Sequence, residues 1–267
     1  MGAKDKISRA ILAKENPTLL PRWGARALIE PEAEKEKPSS NPGLASHTLR
    51  KKLIGRLKKR GIVDEIVIDA IGSVARHQFV DSALASMAYE DVALPIGFGQ
   101  TISQPFVVAK TISIVRELLS KTRSREELVQ QNILEVGCGS GYQASILLEC
   151  FGSVTSVERI YPLYKKALQN CDQYIGQGKL QINFFDGKCG FTDGAPYDAI
   201  FFSASLEKFP NQLINQVKDG GVVLSPTGKG LQYLLAGTKE SSSCSSFSIS
   251  RYDVVSYVPI LEGLERS

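Results

Sequence analysis

Residues 133–143 constrain the fold of this chain more than any other stretch. Their sequence is ILEVGCGSGYQ, in which four mostly apolar residues precede Gly137, Gly139 and Gly141, and a helix can begin near Tyr142. A short apolar run bounded by glycines is typical of a strand buried on both faces. Glycine permits positive φ and close approach of a ligand to the backbone, and a helix start offers free N–H groups. The stretch therefore predicts a strand, a glycine turn and a helix that cradle a nucleotide-sized ligand.

The glycine spacing distinguishes this turn from the dinucleotide-binding fingerprint. That fingerprint is Gly-x-Gly-x-x-Gly, whereas here Tyr142 occupies the position of its last glycine. Glu135 lies at the end of the strand, and a carboxylate there suits a ligand with a positive amine rather than a pyrophosphate. S-adenosylmethionine carries an α-amino group and no phosphate, so the stretch favours it as the ligand. A glycine-rich turn that binds nothing is the alternative interpretation.

Two further carboxylates follow at the ends of the next two predicted strands. Glu158 stands seventeen residues after Gly141, at the end of a strand over 153–157. We expect it to accept hydrogen bonds from two ribose hydroxyls, the alternative being an acid that merely begins a helix. Asp186 and Gly187 form a turn after a strand over 180–185. The aspartate is suited to bind an adenine amino group, or it serves only the turn.

The remaining pattern predicts an α/β fold. Strands and helices alternate, which indicates a mostly parallel sheet with helices on both faces. The other predicted strands lie at 196–202, 220–226, 231–236 and 247–255, with a serine-rich loop at 241–246 between the last two.

The first 45 residues differ in composition from the rest. Five prolines and a mixed-charge run at 30–37 predict a flexible or loosely docked N-terminal arm over 1–45. A partner-binding segment that carries Leu19, Leu20 and Trp23 is the alternative. Residues 46–267 are then the folded domain, and its first helix carries a basic cluster at 50–60. We expect this cluster to be a solvated face, with nucleic-acid contact as the less favoured alternative.

The composition excludes several kinds of site. The five cysteines form no Cys-x-x-Cys pair and there are only two histidines, so we expect no zinc, haem or other metal. Free cysteines favour a reducing compartment, here the cytoplasm. The sequence contains no apolar run of about 18 residues, so we expect no membrane span. The net charge of +4 is too small to indicate a nucleic-acid partner by itself.

Residues 88–105 read as an irregular loop dense in polar groups, a type of segment that often carries function. Pro105 is suited to begin the next helix, so Ser103 is either a turn or cap residue or a hydroxyl in the site. His77 is expected to be a satisfied, partly buried histidine rather than a base.

Together these motifs resemble the protein-L-isoaspartate (D-aspartate) O-methyltransferases over about residues 49–261. The discriminating run is GQTISQP at 99–105. Other matching segments are RHQFV at 76–80, AYED at 88–91, LPIG at 94–97, residues 133–143, VER at 157–159, APYDAI at 195–200 and the pair Gly220-Gly221.

The resemblance implies a Rossmann-like, seven-stranded methyltransferase fold that uses S-adenosylmethionine, releases S-adenosylhomocysteine and acts on isoaspartyl peptides and proteins. It places Ser103 at the reaction centre. The residues that it implies for cofactor binding are Gln100, Thr101, Ile102, Glu135, Gly137, Gly139, Gly141, Glu158, Asp186, Gly187 and Gln232. We expect a monomer.

The chain also departs from the family pattern. Phe185 stands where glycine is common before the aspartate, where it would narrow an adenine pocket, and residues 225–228 read SPTG instead of the usual Pro-Val-Gly. Ala75 and Asp81 replace prolines that usually flank the RHxFV motif. Two alternatives therefore stay open, a methyltransferase with another acceptor and a non-catalytic adaptor that keeps the fold.

Overall fold

The computed structural model describes residues 47–240 and 246–266. The predicted N-terminal arm, residues 1–45, lies outside this range. So does most of the serine-rich loop, because residues 241–245 are not described.

One seven-stranded sheet forms the centre of the described structure, and a two-stranded hairpin precedes it. The strands are β1 Leu94–Gly97, β2 Gln100–Ile102, β3 Gln131–Val136, β4 Gly152–Glu158, β5 Leu180–Phe184, β6 Tyr197–Phe202, β7 Val217–Thr227, β8 Gln232–Lys239 and β9 Phe247–Val255. The sheet order is β5-β4-β3-β6-β7-β8-β9. Strands β3 to β7 are parallel, and β8 and β9 are antiparallel to their neighbours. The prediction of a seven-stranded, mostly parallel sheet is therefore confirmed.

The helices begin where the sequence offers start signals. Asp64 caps the second helix by accepting hydrogen bonds from the N–H groups of Ile66 and Val67. Pro105 is the first residue of the third, where its missing N–H costs nothing. The helices are α1 His47–Lys59, α2 Glu65–Ser73, α3 Pro105–Leu119, α4 Tyr142–Phe151, α5 Tyr161–Asn170 and α6 Asp172–Ile175.

Both faces of the sheet are covered, but differently. Ile133 of β3 faces the larger apolar cluster, to which α1 to α5 all contribute. Leu134, the next residue, faces a second cluster on the opposite side. That side is covered by the 3₁₀ segment Asn211–Gln216, through Leu213, and by loops. The prediction of helices on both faces is therefore confirmed, and the helical cover of the second face is a 3₁₀ segment.

The loop predicted over residues 88–105 contains a β-hairpin. Leu94 and Ile96 are buried while Pro95 and Gly97 are exposed, which is strand alternation over four residues only. Gly97, Phe98 and Gly99 all have positive φ, at 97°, 53° and 66°, and make the reversal. Four residues is the shortest alternation that indicates a strand, so this pattern alone was too weak a signal to predict one.

Candidate functional site

A cavity of about 630 Å³ lies at the carboxyl ends of β3, β4 and β6. This is where ligands bind in open α/β sheets. The glycine turn (residues 137–141), the end of β4, the turn after β5 and the residues after β6 contribute to its lining. The β1–β2 hairpin, the first turns of α3 and residues 253–261 line it as well. Segments far apart in sequence therefore meet at one edge of the sheet.

The glycine turn lets the backbone lie close to side chains of neighbouring elements. Gly137, Gly139 and Gly141 have φ of 95°, 57° and 91°, a region that disfavours side chains. A Cβ on Gly139 would lie 3.1 Å from Ile96 Cδ1 of the hairpin. Gly137 and Gly139 line the cavity, whereas Gly141 does not. A Cβ on Gly141 would lie 2.4 Å from Cys171 Sγ, so this glycine permits α4 to begin against α5.

Glu135 is a fully buried carboxylate in the cavity wall. Its Oε2 accepts a hydrogen bond from Ser156 at 2.6 Å, while its Oε1 has no hydrogen-bond partner. Burial raises the pKa of Glu135 to about 8, against the opposing effect of the Ser156 and Gln143 side chains. A buried carboxylate with one unpaired oxygen is costly, and a positively charged donor from a ligand would relieve that cost.

Glu158 links the end of β4 to the glycine turn. Its Oε2 accepts from the N–H of Gly139 at 2.8 Å, and its Oε1 accepts from the N–H of Ile160 at 2.9 Å. Burial raises its pKa, and these backbone hydrogen bonds oppose the rise. Because each carboxylate oxygen can accept a second hydrogen bond, Glu158 keeps acceptor capacity toward the cavity that it lines.

Asp186 and Gly187 also line the cavity, in the turn after β5. Asp186 Oδ1 accepts from the N–H of Lys188 at 3.1 Å, and Oδ2 accepts from the N–H of Gly263 at 2.6 Å. Phe185 contributes to the same wall, is 42% exposed, and packs edge-on against Phe191 at 5.0 Å between ring centroids. The side chain that replaces the usual glycine therefore stands at the rim and leaves the cavity open.

Gln100, Thr101, Ile102 and Ser103 also line the cavity. Ile102 is buried in the core, and Ser103 is half-buried. The cap residue of α3 is Gln104, so Ser103 lies one position before the cap. Ser103 lines the cavity together with Tyr257, a residue of the C-terminal segment (residues 256–265).

Gln232 does not line the cavity. Its Nε2 donates to the Tyr257 carbonyl at 3.0 Å and to Ser205 Oγ at 3.1 Å, and its Oε1 accepts from the Tyr257 N–H at 2.7 Å. The structure therefore places this glutamine behind the C-terminal segment, in contact with the backbone of Tyr257.

Sequence reasoning missed two groups of lining residues. Gln143 donates to Ser203 Oγ at 2.9 Å across the cavity floor. Ser203 directly follows β6, so the rule that ligands bind beyond parallel strand ends could have found it. No local pattern identifies Tyr257, because the other segments that line the cavity lie far from it in sequence.

Other candidate residues lie outside the cavity or are already paired. His77 is half-buried, its Nδ1 lies 2.7 Å from the Tyr89 hydroxyl, and it does not line the cavity. In the basic cluster of α1, Arg56, Lys58 and Arg60 form ion pairs with Glu90, Glu65 and Asp91. Over residues 47–240 and 246–266, no helix is long and apolar enough to cross a bilayer, and no cluster of acidic, cysteine and histidine side chains is suited to a metal.

Known proteins resemble this chain along most of its length. A family model described as Protein-L-isoaspartate(D-aspartate) O-methyltransferase (PCMT) matches residues 48–265. A protein of Bordetella avium (strain 197N) named protein-L-isoaspartate O-methyltransferase is 40% identical over 245 residues, covering 91% of this chain and 89% of that protein. A protein of Dechloromonas aromatica (strain RCB) with the same name is 39% identical over 226 residues, covering 84% of this chain and 98% of that protein.

Two solved structures share the fold. One, a protein-L-isoaspartate O-methyltransferase, has a TM-score of 0.69 and 25% identity, and the match covers 81% of this chain and 67% of that one. The other is a Plasmodium falciparum protein solved with S-adenosyl-L-homocysteine, with a TM-score of 0.67 and 22% identity over 79% and 98% of the two chains. At that identity the second supports the fold alone.

Proposed function

The chain belongs to the protein-L-isoaspartate (D-aspartate) O-methyltransferase family, and we propose that the cavity at the carboxyl edge of its sheet is where the two reactants meet. The protein transfers a methyl group from S-adenosylmethionine to the carboxylate of L-isoaspartyl residues in damaged proteins. In the resulting ester, the nitrogen of the adjoining peptide bond displaces methanol and closes a succinimide, and hydrolysis of the succinimide returns some normal aspartate.

The unpaired Oε1 of Glu135 is the observation that carries the proposal. S-adenosylmethionine, when bound, supplies a methyl group on a positively charged sulfur. Glu135 would hold its α-amino group, and Glu158 its ribose hydroxyls. Asp186 would hold its adenine amino group, since each of its oxygens accepts one hydrogen bond in the structure and can accept a second.

The remaining lining residues shape the same pocket. Gly137, Gly139 and Gly187 give it room, and a Cβ on Gly187 would lie 2.5 Å from Val157 Cγ2. Gln100, Thr101 and Ile102 would cover the cofactor from the hairpin side. Gly141 would support the shape of the pocket through the close packing of α4 against α5. Gln232 would support it by holding the C-terminal segment that it contacts.

The acceptor needs no general base. An aspartyl-type carboxyl has a pKa near 4 and is already ionised at neutral pH, so the absence of a histidine from the described cavity lining is no obstacle. The protein must instead position the carboxylate and exclude water, and correct positioning of two reactants is worth about 7–11 kcal/mol of barrier. We assign Ser103 to this positioning through its hydroxyl.

Paired peptides test the activity most simply. We expect labelled S-adenosylmethionine to methylate a peptide that contains one isoaspartyl residue and to leave the same peptide with normal aspartate unlabelled. Equal labelling of both peptides, or labelling of neither, would contradict the proposal.

Replacement of Ser103 tests its assignment. Ser103→Ala removes a hydroxyl from the acceptor side of the cavity, so turnover should fall about 10- to 100-fold, as for loss of one positioned hydrogen-bond donor. The KM for S-adenosylmethionine should change by less than about threefold, since the assigned contact is to the acceptor. Ser120→Ala, at the end of α3 and outside the cavity, is the control. Wild-type turnover in Ser103→Ala would mean that Ser103 serves only the turn and has no part in catalysis.

We also propose the coarse organisation of the chain. Residues 46–267 form the methyltransferase domain, which the family match over 48–265 supports, and 1–45 are an N-terminal arm outside it. The monomeric state, the cytoplasmic location and the lack of a nucleic-acid partner stay predictions. Light scattering and cell fractionation test the first two, and salt-dependent RNA binding tests the third.

A further inference from the structure

Phe185 is an aromatic residue of the cavity lining and stands directly before Asp186. It occupies the position where glycine is common in the family, and it is 42% exposed. An exposed ring in the lining of a cavity is apolar surface that a bound ligand can cover, and covering it is favourable. Phe185 therefore offers a ligand an apolar contact that glycine would not.

The ring of Phe185 is supported by a second aromatic ring. Phe191 packs edge-on against it, with 5.0 Å between the ring centroids and 74° between the ring planes. Phe191 does not line the cavity, so it supports the Phe185 ring from outside. Its own backbone is anchored, because its N–H donates to Gln216 Oε1 at 2.9 Å and its carbonyl accepts from the Tyr197 hydroxyl at 2.8 Å. The ring at the rim is therefore preorganised for a ligand.

The backbone of Phe185 connects the two carboxylates that are assigned to the nucleoside. Its N–H donates to the carbonyl of Glu158 at 3.0 Å, and the next residue is Asp186. In the proposed function, Glu158 holds the ribose and Asp186 holds the adenine amino group. Adenine carries that amino group on its edge and has a π surface on each face. A base that Asp186 holds by its edge therefore has a face available to the neighbouring aromatic ring.

We propose that Phe185 is a base-recognition residue, whose ring packs on the adenine of S-adenosylmethionine and covers the base at the rim of the cavity. The proposal rests on the proposed function and deepens it, because it adds a cofactor contact that a glycine at this position cannot make. S-adenosylhomocysteine carries the same base, so the contact is made with the product as well.

Direct binding of S-adenosylhomocysteine to Phe185→Ala tests the contact without turnover. We expect calorimetry to give a Kd about 5- to 50-fold above that of the wild type, as for the loss of one aromatic ring stacked on a base. An unchanged Kd would overturn the proposal.

Tyr161→Ala is the matched control. Tyr161 is 41% exposed and packs edge-on against Phe184 with 5.2 Å between ring centroids, which is the same arrangement outside the cavity. Its replacement should leave the Kd for S-adenosylhomocysteine within about twofold of the wild-type value. An equal loss of affinity in both variants would overturn the proposal, because the effect would then not depend on a ring in the cavity.

Phe185→Trp gives a second readout and keeps an aromatic ring at the rim. Stacking on a base quenches the fluorescence of an indole, so S-adenosylhomocysteine should quench the new indole. Trp23 is the only tryptophan of the chain, so the wild type measures its background. Adenosine should quench the new indole too, whereas homocysteine, which lacks the base, should not. Binding of S-adenosylhomocysteine with no quenching beyond the background would overturn the proposal.

The wild-type titration distinguishes this failure from a failure of the proposed function. If the wild type and Phe185→Ala bind S-adenosylhomocysteine equally, only the role of Phe185 is wrong, and a raised KM for the isoaspartyl peptide in that variant would assign the ring to the acceptor. If the wild type binds no S-adenosylhomocysteine, the function itself is wrong, and the role of Phe185 falls with it.

Discussion

Among single residues, Glu135 combines complete burial with an oxygen that has no partner. With a pKa of about 8, its carboxyl is largely protonated at pH 7. An α-amino group has an ordinary pKa near 8, so an ion pair with it forms only when Glu135 gives up its proton. Cofactor binding and proton release should therefore be linked at this one residue.

The linkage predicts a pH-dependent affinity for S-adenosylmethionine. Below about pH 8 the free carboxyl is protonated, so affinity should rise with pH, by up to about tenfold per unit well below the pKa. Above about pH 8 it should fall, as the free amine loses its proton. Calorimetry in buffers of different ionisation enthalpy measures the number of protons released when the cofactor binds, and this number should be nearly one at pH 7. In Glu135→Gln the release should vanish, and a wild type that releases no proton would contradict the assignment.

Gly141 is required for a different reason, which is close packing at positive φ. Gly141→Ala places a methyl group 2.4 Å from Cys171 Sγ at a φ of 91°. Gly61 has the same φ of 91° with nothing within 4 Å, so Gly61→Ala carries the backbone strain without the clash. We expect Gly61→Ala to lower the free energy of unfolding by about 1 kcal/mol, and Gly141→Ala by about 1–3 kcal/mol more. Equal losses in urea titrations would show that the contact with Cys171 is unimportant.

At the scale of elements, the C-terminal segment encloses part of the cavity. It crosses the sheet edge from β8 toward β4, and its far end is held by several contacts. The N–H of Tyr161 donates to the Glu265 carbonyl at 2.8 Å, and the N–H of Glu265 donates to the Arg159 carbonyl at 2.9 Å. Arg159 also forms an ion pair with the Glu265 side chain at 3.0 Å.

Removal of residues 262–267 tests this enclosure. The deletion removes the hydrogen bond from Gly263 to Asp186 and all the contacts of Glu265, so the adenine side of the cavity should open. We expect the KM for S-adenosylmethionine to rise about tenfold, the equivalent of one or two lost hydrogen bonds. Glu265→Ala keeps the backbone hydrogen bonds and loses only a partly exposed ion pair, so its KM should change less than about threefold. An unchanged KM in the deletion would mean that the segment end does not enclose the cofactor.

For the molecule as a whole, the sequence predicts the sheet well and the acceptor side of the cavity poorly. The β3 strand, the glycine turn and Glu158 are contiguous or one strand apart, so local patterns suffice to place them. The β1–β2 hairpin was missed because its alternation spans only four residues. Tyr257 was missed because only the fold brings its segment to the cavity. The placement of Gln232 behind the segment, rather than in the cavity wall, depends on the same long-range packing.

The N-terminal arm gives a prediction at the same scale. The family match begins at residue 48, and every cavity-lining residue that the structure describes lies after that point. A chain that begins at residue 46 should therefore methylate isoaspartyl peptide with a kcat within about twofold of the full chain. Loss of activity together with an unchanged unfolding transition would instead assign the arm to substrate binding.

A crystal structure of the protein with S-adenosylhomocysteine and an isoaspartyl peptide tests the central claim most directly. We expect the amino group of S-adenosylhomocysteine within hydrogen-bond distance of Glu135 Oε1, and the isoaspartyl carboxylate within hydrogen-bond distance of Ser103 Oγ. A cofactor bound away from the glycine turn, or a peptide carboxylate that does not approach Ser103, would contradict the account.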